Sequence, residues 1–380
     1  MEKGKTSLRE LAGLFLKLGI TAFGGPAAHI AMMQKEVVDK RKWMDHQHFL
    51  DLIGATNLIP GPNSTEMAIH IGHERGGWKG LLLAGCCFIM PAVLITAGIA
   101  SLYQRYGQLP RVTPFIYGIK PAIIAIILAA AFPLARRAVK TVELGVIGLV
   151  AFIASLVGLN EIYVMFGAGF VVLSLFIIRR PGAPGPTKTF SPFIFLNTYL
   201  LSPANLKIFF VFLKIGAILY GSGYVLFAFL DNELVAKGLL SRTQLVDAIA
   251  VGQFTPGPVF SSVTFIGWQM NGWQGAAVAT IGIFLPSFLF VALLNPLVPA
   301  MRRSKLFSAF LDGVNIASIA IIVTVCISFG RESIVDWRTA LIALVSLIVT
   351  FGFRKVNTVF VVVGSAILGY ALQAVSHGQV

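Results

Sequence analysis

Charged residues are scarce in this chain of 380 residues, making up 12% of it, about half the share found in soluble domains. Hydrophobic residues make up 56%, and the mean hydropathy is +0.82. This composition excludes an ordinary soluble protein and predicts an integral membrane protein. The net charge of +14 does not indicate a nucleic-acid partner, because the basic residues lie singly or in short groups between apolar runs, as in loops that follow the positive-inside rule.

Cysteines and cofactor motifs are also few or missing. Cys86, Cys87 and Cys326 lie in apolar runs without ligand spacing, and we interpret them as core residues. The sequence contains no G-x-x-x-x-G-K-[ST] and no G-x-G-x-x-G that opens a helix, and it has no haem, flavin or metal signature. We therefore expect no cofactor, no metal and no enzymatic activity, and an energy source in an ion gradient or the membrane potential rather than ATP.

Apolar stretches suited to crossing a bilayer, which takes about 20 residues, fall into two sets. They cover residues 11–33, 48–72, 80–103, 113–135, 142–159 and 162–178, and then 206–230, 244–268, 273–298, 306–329, 337–353 and 356–375. The pattern predicts an all-α polytopic membrane protein with roughly 10 to 13 transmembrane segments. We expect a first repeat over residues 1–178, a linker over 179–205 whose apolar part supplies an extra crossing, and a second repeat over 206–380.

The two halves match residue by residue. Phe15-Leu16-Lys17-Leu18-Gly19 corresponds to Phe212-Leu213-Lys214-Ile215-Gly216, and Gly77-Trp78 corresponds to Gly272-Trp273, with an offset that stays between 195 and 197 residues. Basic loops alternate in opposite phase in the two halves, which predicts two homologous repeats of inverted topology and a cytoplasmic N-terminus. The first two segments of each half are either full crossings or re-entrant hairpins.

A Pro-Gly-Pro unit occurs at matched positions in both halves, as Pro60-Gly61-Pro62 and Pro256-Gly257-Pro258. Two such prolines break a helix, and a break at membrane depth is typical of a binding place. The restarting helix presents amide groups and polar side chains to an anion, and the glycines allow close approach. The predicted anion-binding residues here are Asn63, Ser64 and Thr65 in the first half, and Ser261 and Ser262 in the second. A kink that only relieves packing is the alternative.

Lys17 and Lys214 stand at matched positions in apolar surroundings. Charges in a membrane are expensive and indicate function, so two lysines that meet at a pseudo-two-fold axis would neutralise a dianion. Alternatively, each ammonium group reaches the membrane surface along its own stem. Lys120 and Lys207 are further candidates without a basic counterpart in the other half.

Glu66 and His70 lie one helical turn apart after the first Pro-Gly-Pro. A carboxyl and an imidazole on one helix face are suited to carrying a coupling proton. The second half has Ser262 and Ile266 at these positions, so an ordinary hydrogen bond at the helix end is an equal alternative.

Three motifs resemble the long-chain chromate transporter family. They are Phe23-Gly24-Gly25-Pro26, Asn57-Leu58-Ile59-Pro60-Gly61-Pro62 and Phe254-Thr255-Pro256-Gly257-Pro258. The resemblance implies a bacterial or archaeal inner-membrane protein that exports chromate and confers resistance, with two halves of opposite orientation. It extends the predicted substrate-binding set to Gly24, Gly25, Asn57, Gly221 and Gln253. The second half departs from the first where Gly25-Pro26 becomes Ser222-Gly223 and Asn57 becomes Gln253.

The leading hypothesis is a secondary transporter that moves a tetrahedral dianion, chromate or sulfate, by alternating access at a midplane site between the repeats. A transporter or channel for another small oxyanion is the first alternative. A membrane hydrolase that uses Glu66, His70 and Ser64 is a lesser one. The expected partners are the dianion and the lipid bilayer, with a homodimer left open.

Overall fold

The computed structural model describes residues 6–23, 25–107, 109, 112–179, 203–221, 223–294, 301, 304–353 and 356–377. Helices account for the regular structure throughout this part of the chain. The first half contains α1 (Leu8–Thr21), α2 (Gly25–Gln34), α3 (His46–Thr56), α4 (Asn63–Tyr106), α5 (Thr113–Ala138), α6 (Val142–Leu156) and α7 (Glu161–Arg179). The second half contains α8 (Pro203–Ile218), α9 (Leu226–Leu230), α10 (Arg242–Phe254), α11 (Ser262–Leu294), α12 (Lys305–Ser333), α13 (Trp337–Gly352) and α14 (Thr358–His377).

Irregular helical turns extend several of these helices. One turn of π-helix, Lys35–Lys40, continues α2, and another, Asp231–Val235, continues α9. A short 3-10 turn, Val259–Ser261, precedes α11. Six helices of the described residues are long and apolar enough to cross a membrane, and α6 and α13 are shorter apolar helices. The prediction of an all-α polytopic membrane protein is confirmed.

The long helices α4 and α11 each fold back on themselves at a glycine. Gly77 has φ 58° and ψ −147°, and its counterpart Gly272 has φ 56° and ψ −150°, a conformation open essentially to glycine alone. A Cβ on Gly72 would lie 2.4 Å from the carbonyl oxygen of Gly80, although these residues would be about 12 Å apart along a straight helix. Each long helix is therefore a tight hairpin of a short limb, residues 63–76 in α4, and a long limb, residues 78–106.

The first two apolar stretches of the chain fold as hairpins of short helices, the geometry expected of re-entrant segments rather than of crossings. The continuation of α2 returns beside α1, where Arg41 lies 3.6 Å from Glu10, and the short limb of α4 returns beside the start of α3, where His48 lies 2.7 Å from Glu74. The helices of these hairpins have 14 residues or fewer, about 21 Å, which is less than the thickness of the hydrocarbon core. Because these stretches are hairpins of short helices, the structure has fewer long helices than the predicted number of transmembrane segments.

The two matched turns lie at opposite ends of the long limb of α4. Gly77 begins this limb, whereas Trp268, four residues before Gly272, donates a hydrogen bond of 3.0 Å to the side chain of Gln104 near its other end. The limb is about 43 Å long. An inverted repeat predicts this arrangement.

The halves interleave. Helices α6 and α7 pack against α12 of the other half, while α13 and α14 pack against α5. Small residues permit these crossings at matched positions, since a Cβ on Gly118 would lie 2.2 Å from the carbonyl oxygen of Ser365, and one on Gly313 would lie 2.5 Å from that of Ala168. The repeat boundaries at residues 178 and 206 thus mark sequence copies whose helices pack together in one body. Most of the predicted linker, residues 180–202, with its extra crossing, lies outside the described residues.

Candidate functional site

The chain breaks of the two halves meet through a reciprocal pair of backbone hydrogen bonds. The N–H of Gly61 donates to the carbonyl of Leu219 at 2.8 Å, and the N–H of Gly257 donates to the carbonyl of Ala22 at 2.8 Å. Ala22 and Leu219 are matched residues that follow α1 and α8. Each Pro-Gly-Pro unit forms the tip between two helices and contacts the end of the first helix of the other half. Four chain breaks therefore lie together, namely the two Pro-Gly-Pro units and the segments that follow α1 and α8.

Both Pro-Gly-Pro glycines have backbone conformations that a side chain would strain. Gly61 has φ +135°, and a Cβ there would lie 2.3 Å from Oε1 of Glu66 and 2.6 Å from Oγ of Ser287. Gly257 has φ +90°, and a Cβ there would lie 2.9 Å from the Cβ of Ala92. Ala92 and Ser287 are matched residues, so the two tips sit in equivalent places with different neighbours.

The helix starts after the prolines are partly capped. The N–H of Thr65 donates to the carbonyl of Pro62 at 2.8 Å, and the N–H of Ser261 donates to that of Pro258 at 2.9 Å. The expectation of a free amide at Thr65 is therefore wrong, because the first turn is tight enough to use it. Within the described part of the chain, the backbone N–H groups of Asn63 and Ser64 have no acceptor.

Buried polar atoms without partners surround these helix starts. The side chains of Ser64, Thr65, Glu66, Ser261 and Ser262 are each at most 2% exposed. Among the described residues, Oγ1 of Thr65, Oε2 of Glu66 and the hydroxyl oxygens of both serines of the second half have no hydrogen-bond partner. Thr65 matches Ser261 and Glu66 matches Ser262. Because buried polar groups are nearly always satisfied, this cluster indicates a place for a polar ligand or water.

The remaining motif residues border the breaks. The side-chain Oδ1 of Asn57 accepts a hydrogen bond of 2.6 Å from the side-chain Nδ2 of Asn63. Gln253 is buried, and its Nε2 has no partner among the described residues. Gly25 and Gly221 have φ of +81° and +95°. Gly24 lies outside the described residues.

Glu66 and His70 are buried on the same face of α4, at 0% and 1% exposure. Oε1 of Glu66 lies 3.5 Å from Oγ of Ser287 in the other half. Neither imidazole nitrogen of His70 has a partner among the described residues, so the structure shows no hydrogen bond between the two groups. His29 lies close by, with its Nδ1 3.3 Å from Oγ of Ser64.

The structure does not bring Lys17 and Lys214 together over a common ligand. Lys17 forms an ion pair with Glu36 at 3.4 Å, and Lys214 forms one with Glu233 at 2.7 Å. The lysine side chains are 58% and 48% exposed. The pairs are matched, since each acid follows its lysine by 19 residues and accepts a second lysine one turn later. The sequence interpretation missed both acids, although this equal spacing was visible in the sequence.

Both acids of these pairs are held in the charged form. Hydrogen bonds, the strongest from Lys40, lower the pKa of Glu36 to about 2. Burial alone would raise the pKa of Glu233, but hydrogen bonds from Lys214 and Lys237 outweigh it and leave that pKa below its usual value. Each hairpin that begins with α1 or α8 is therefore closed by an ion pair within its own half.

Sequence comparisons place the chain in a family. The chromate transporter family model matches residues 9–173 and 206–370. The chain belongs to the chromate transporter family. It is 31% identical over 389 residues to the chromate transport protein of Cupriavidus metallidurans (strain ATCC 43123 / DSM 2839 / NBRC 102507 / CH34), covering 98% of this chain and 94% of that one.

Two further relatives extend the comparison. The chain is 31% identical to the probable chromate transport protein of Synechococcus elongatus, over 96% of this chain and 95% of that one. It is 28% identical to an uncharacterized transporter of Methanocaldococcus jannaschii, over 94% and 92%. No solved structure matches the chain. The protein is thus a multi-pass membrane transporter of this family, with relatives in bacteria and archaea.

Proposed function

We propose that this chromate transporter family member is a secondary transporter that exports chromate across the inner membrane of its cell and so confers chromate resistance. The observation that carries the proposal is the meeting of the four chain breaks through the Gly61–Leu219 and Gly257–Ala22 hydrogen bonds. Helix breaks at the interface of repeats are typical of substrate sites in secondary transporters. The relatives named as chromate transport proteins support chromate as the anion.

We propose that the dianion binds between the two restarting helices. Both halves supply hydrogen-bond donors. In the proposed site these are the backbone N–H groups of Asn63 and Ser64 and the hydroxyl groups of Thr65, Ser261 and Ser262. Donors at helix starts stabilise a negative charge, and the anion in turn satisfies hydroxyls that lack a partner in the protein. Because inverted halves present equivalent faces to the two sides of the membrane, rocking one against the other exposes the site alternately.

We propose that Glu66 carries the proton whose movement is coupled to anion export, with His70 one turn further along the same face of α4. An ionised carboxylate beside a dianion in a buried site would repel it, so Glu66 carries its proton when the anion is bound. Export of a dianion with one proton moves one net negative charge outward. A membrane potential that is negative inside favours this movement by about 2.3 kcal/mol per 100 mV. Sulfate has the same shape and charge as chromate, and we propose it as a competing substrate.

Transport by inverted membrane vesicles tests the proposal. Radiolabelled chromate and sulfate are supplied outside, with and without an imposed potential and proton gradient. The expected result is saturable accumulation of chromate that depends on the gradients and is inhibited by sulfate. Flux that neither saturates nor responds to protons would indicate a channel instead. The absence of flux, together with gradient-independent hydrolysis of phosphorylated or sulfated substrates in detergent, would indicate the enzyme alternative.

A further inference from the structure

Two cavities lie at opposite ends of α5 and α12. The first, of about 270 Å³, is bordered by the end of α5 at Arg137 and the start of α12 at Asp312, and we call it the Arg137 cavity. The second, of about 290 Å³, is bordered by the start of α5 at Lys120 and the end of α12 at Glu332, and we call it the Glu332 cavity. Since α5 is about 39 Å long, the cavities open toward opposite sides of the protein.

Matched residues line the two cavities. Five pairs related by an offset of 195 residues face them, with one member in each: Arg137 and Glu332, Ala138 and Ser333, Tyr117 and Asp312, Lys120 and Asn315, Lys140 and Val335. The cavities are therefore equivalent places in the two halves. The first pair has opposite charges, so one cavity presents a cation where the other presents a carboxylate.

The Arg137 cavity alone touches the helix breaks. Its inner wall includes Asn57 and Asn63 beside the first Pro-Gly-Pro and Gly221 at the break after α8. The Glu332 cavity ends instead at Asp247, which is 3% exposed. There Tyr103 donates a hydrogen bond of 2.5 Å to Asp247, and Lys120 pairs with it at 3.0 Å, linking the two halves across the inner end of the cavity.

Arg137 is the cation in the first cavity that the described protein leaves without an anion. Lys140, the other basic residue there, pairs with Asp312 at 2.6 Å. Arg137 is exposed and has no ion pair or hydrogen bond to any described residue. A guanidinium group binds an oxyanion through two parallel hydrogen bonds, and the neighbouring amide groups of Asn57 and Asn315 add donors.

We propose that the Arg137 cavity is a binding site on the access route, where a tetrahedral oxyanion is selected before it reaches the helix breaks. The inference rests on the proposed function and adds residues that the breaks do not contain. The cavity has room for a small oxyanion with part of its hydration. The basic loops place its opening on the cytoplasmic side, from which an exported anion must come.

Initial rates in inverted vesicles test this site, because the Arg137 cavity then faces the added substrate. Arg137→Gln is expected to raise the KM for chromate and for sulfate about tenfold, with the maximal rate at saturation within about twofold of the unchanged protein. Such a factor corresponds to about 1.4 kcal/mol, in the range of one charge-assisted hydrogen bond. Arg137→Lys, which keeps the charge but loses the planar pair of donors, is expected to lie between the two.

Arg136→Gln is the matched control. Arg136 is the adjacent residue in the last turn of α5, but its guanidinium lies 4.6 Å from the centre of the Phe132 ring and Arg136 does not line the cavity. This variant loses the same charge and is expected to leave KM unchanged. An equal rise in KM in both variants would mean general attraction of the anion by the basic end of α5 and would overturn the site. An unchanged KM in Arg137→Gln would overturn it as well.

Binding of sulfate to the purified protein, measured by calorimetry in detergent without added lipid, separates the sources of the anion. Weaker binding by Arg137→Gln supports a site for the free oxyanion. Equal binding would mean that Arg137 serves a lipid phosphate, and it would overturn the proposal. If the unchanged protein transported neither anion, the proposed function would fail, whereas transport with an Arg137-independent KM would defeat this inference alone.

Discussion

The two halves of the molecule share the contacts that build the fold and differ in polar residues at the helix breaks and in the two cavities. Each closes its first hairpin with a lysine and an acid 19 residues later, turns at Gly77 or Gly272, and reaches across to the other half through a Pro-Gly-Pro glycine. Among the matched pairs that differ are Asn63 and Val259, Glu66 and Ser262, Ala92 and Ser287, and Arg137 and Glu332. All of them lie at the breaks or in the two cavities. The common pairs thus maintain a symmetric frame, and these unequal pairs make its two ends chemically different.

Labelling of the matched turns gives the largest expected effect, because it is all or none. Trp78 and Trp273 are 62% and 68% exposed at the two turns. In a protein whose three native cysteines are replaced by alanine, Trp78→Cys and Trp273→Cys should react with a membrane-impermeant thiol reagent in vesicles of opposite orientation. A permeant reagent that labels both variants serves as the control. Labelling of both from the same side would remove the inverted frame and the alternating mechanism with it.

Substitution of the tip glycines is expected to have the next largest effect. Gly61→Ala should reduce transport at least tenfold, because the methyl group meets Glu66 and Ser287 and the residue must keep φ +135°, strain of about 1–3 kcal/mol or more. Gly257→Ala should also be defective, but less so, since its methyl group meets chiefly Ala92.

Gly158→Ala separates steric overlap from backbone strain. Gly158 has φ +89°, and no atom lies within 4 Å of the place that a Cβ would occupy, so this variant carries the strain without the collision. Transport is expected to stay within about twofold of the unchanged protein. If Gly158→Ala were as defective as Gly61→Ala, contacts of the new methyl group with Glu66 and Ser287 could not account for the defect of Gly61→Ala.

Glu66 and Ser262 test whether the halves divide the work of coupling. Transport by the unchanged protein should slow as pH rises, since Glu66 must hold a proton when the anion binds, with a change of at most about tenfold per pH unit for one proton. Glu66→Gln, which stays neutral, should transport with a flattened pH profile, whereas Ser262→Ala should keep the slope. The measurement is the initial rate of transport across a pH series. If the rate of Glu66→Gln still fell steeply with rising pH, the coupled proton would be carried by another group.

The hairpin lysines should show the smallest effect. Lys214→Ala leaves Glu233 paired with Lys237 at 2.5 Å, and Lys17→Ala leaves Glu36 with Lys40 and Arg41. Both lysines are about half exposed, so water screens each pair and its contribution is about 1 kcal/mol or less. The KM for chromate is therefore expected to change by less than about twofold. A tenfold rise in KM in both variants, with normal amounts of protein in the membrane, would instead restore the role of the lysines in neutralising the dianion.

Much of the site could be read from the residues alone, and the parts that could not have a common cause. The Pro-Gly-Pro breaks were predictable because proline removes a backbone donor wherever it occurs. The same local logic identified the polar residues after each break. The same reasoning assigned the wrong partner to the lysines. The charge that a side chain meets depends on how α1 and α2 fold back on each other, and hydropathy is the same for a hairpin as for a crossing.

By itself, the sequence determined that this protein lies in a membrane, that it contains two copies of one pattern, and where each copy breaks. Those properties follow from composition and from the fixed geometry of proline and glycine, which act over a few residues. Only the tertiary structure decided that Gly61 and Gly257 exchange hydrogen bonds with the opposite half, that α6 and α7 pack on α12, and that one cavity touches the breaks while its counterpart stops at Asp247. The two glycine hydrogen bonds join residues that are 158 and 235 positions apart (219 − 61 and 257 − 22). Such contacts depend on how the helices pack, and no local pattern specifies that packing.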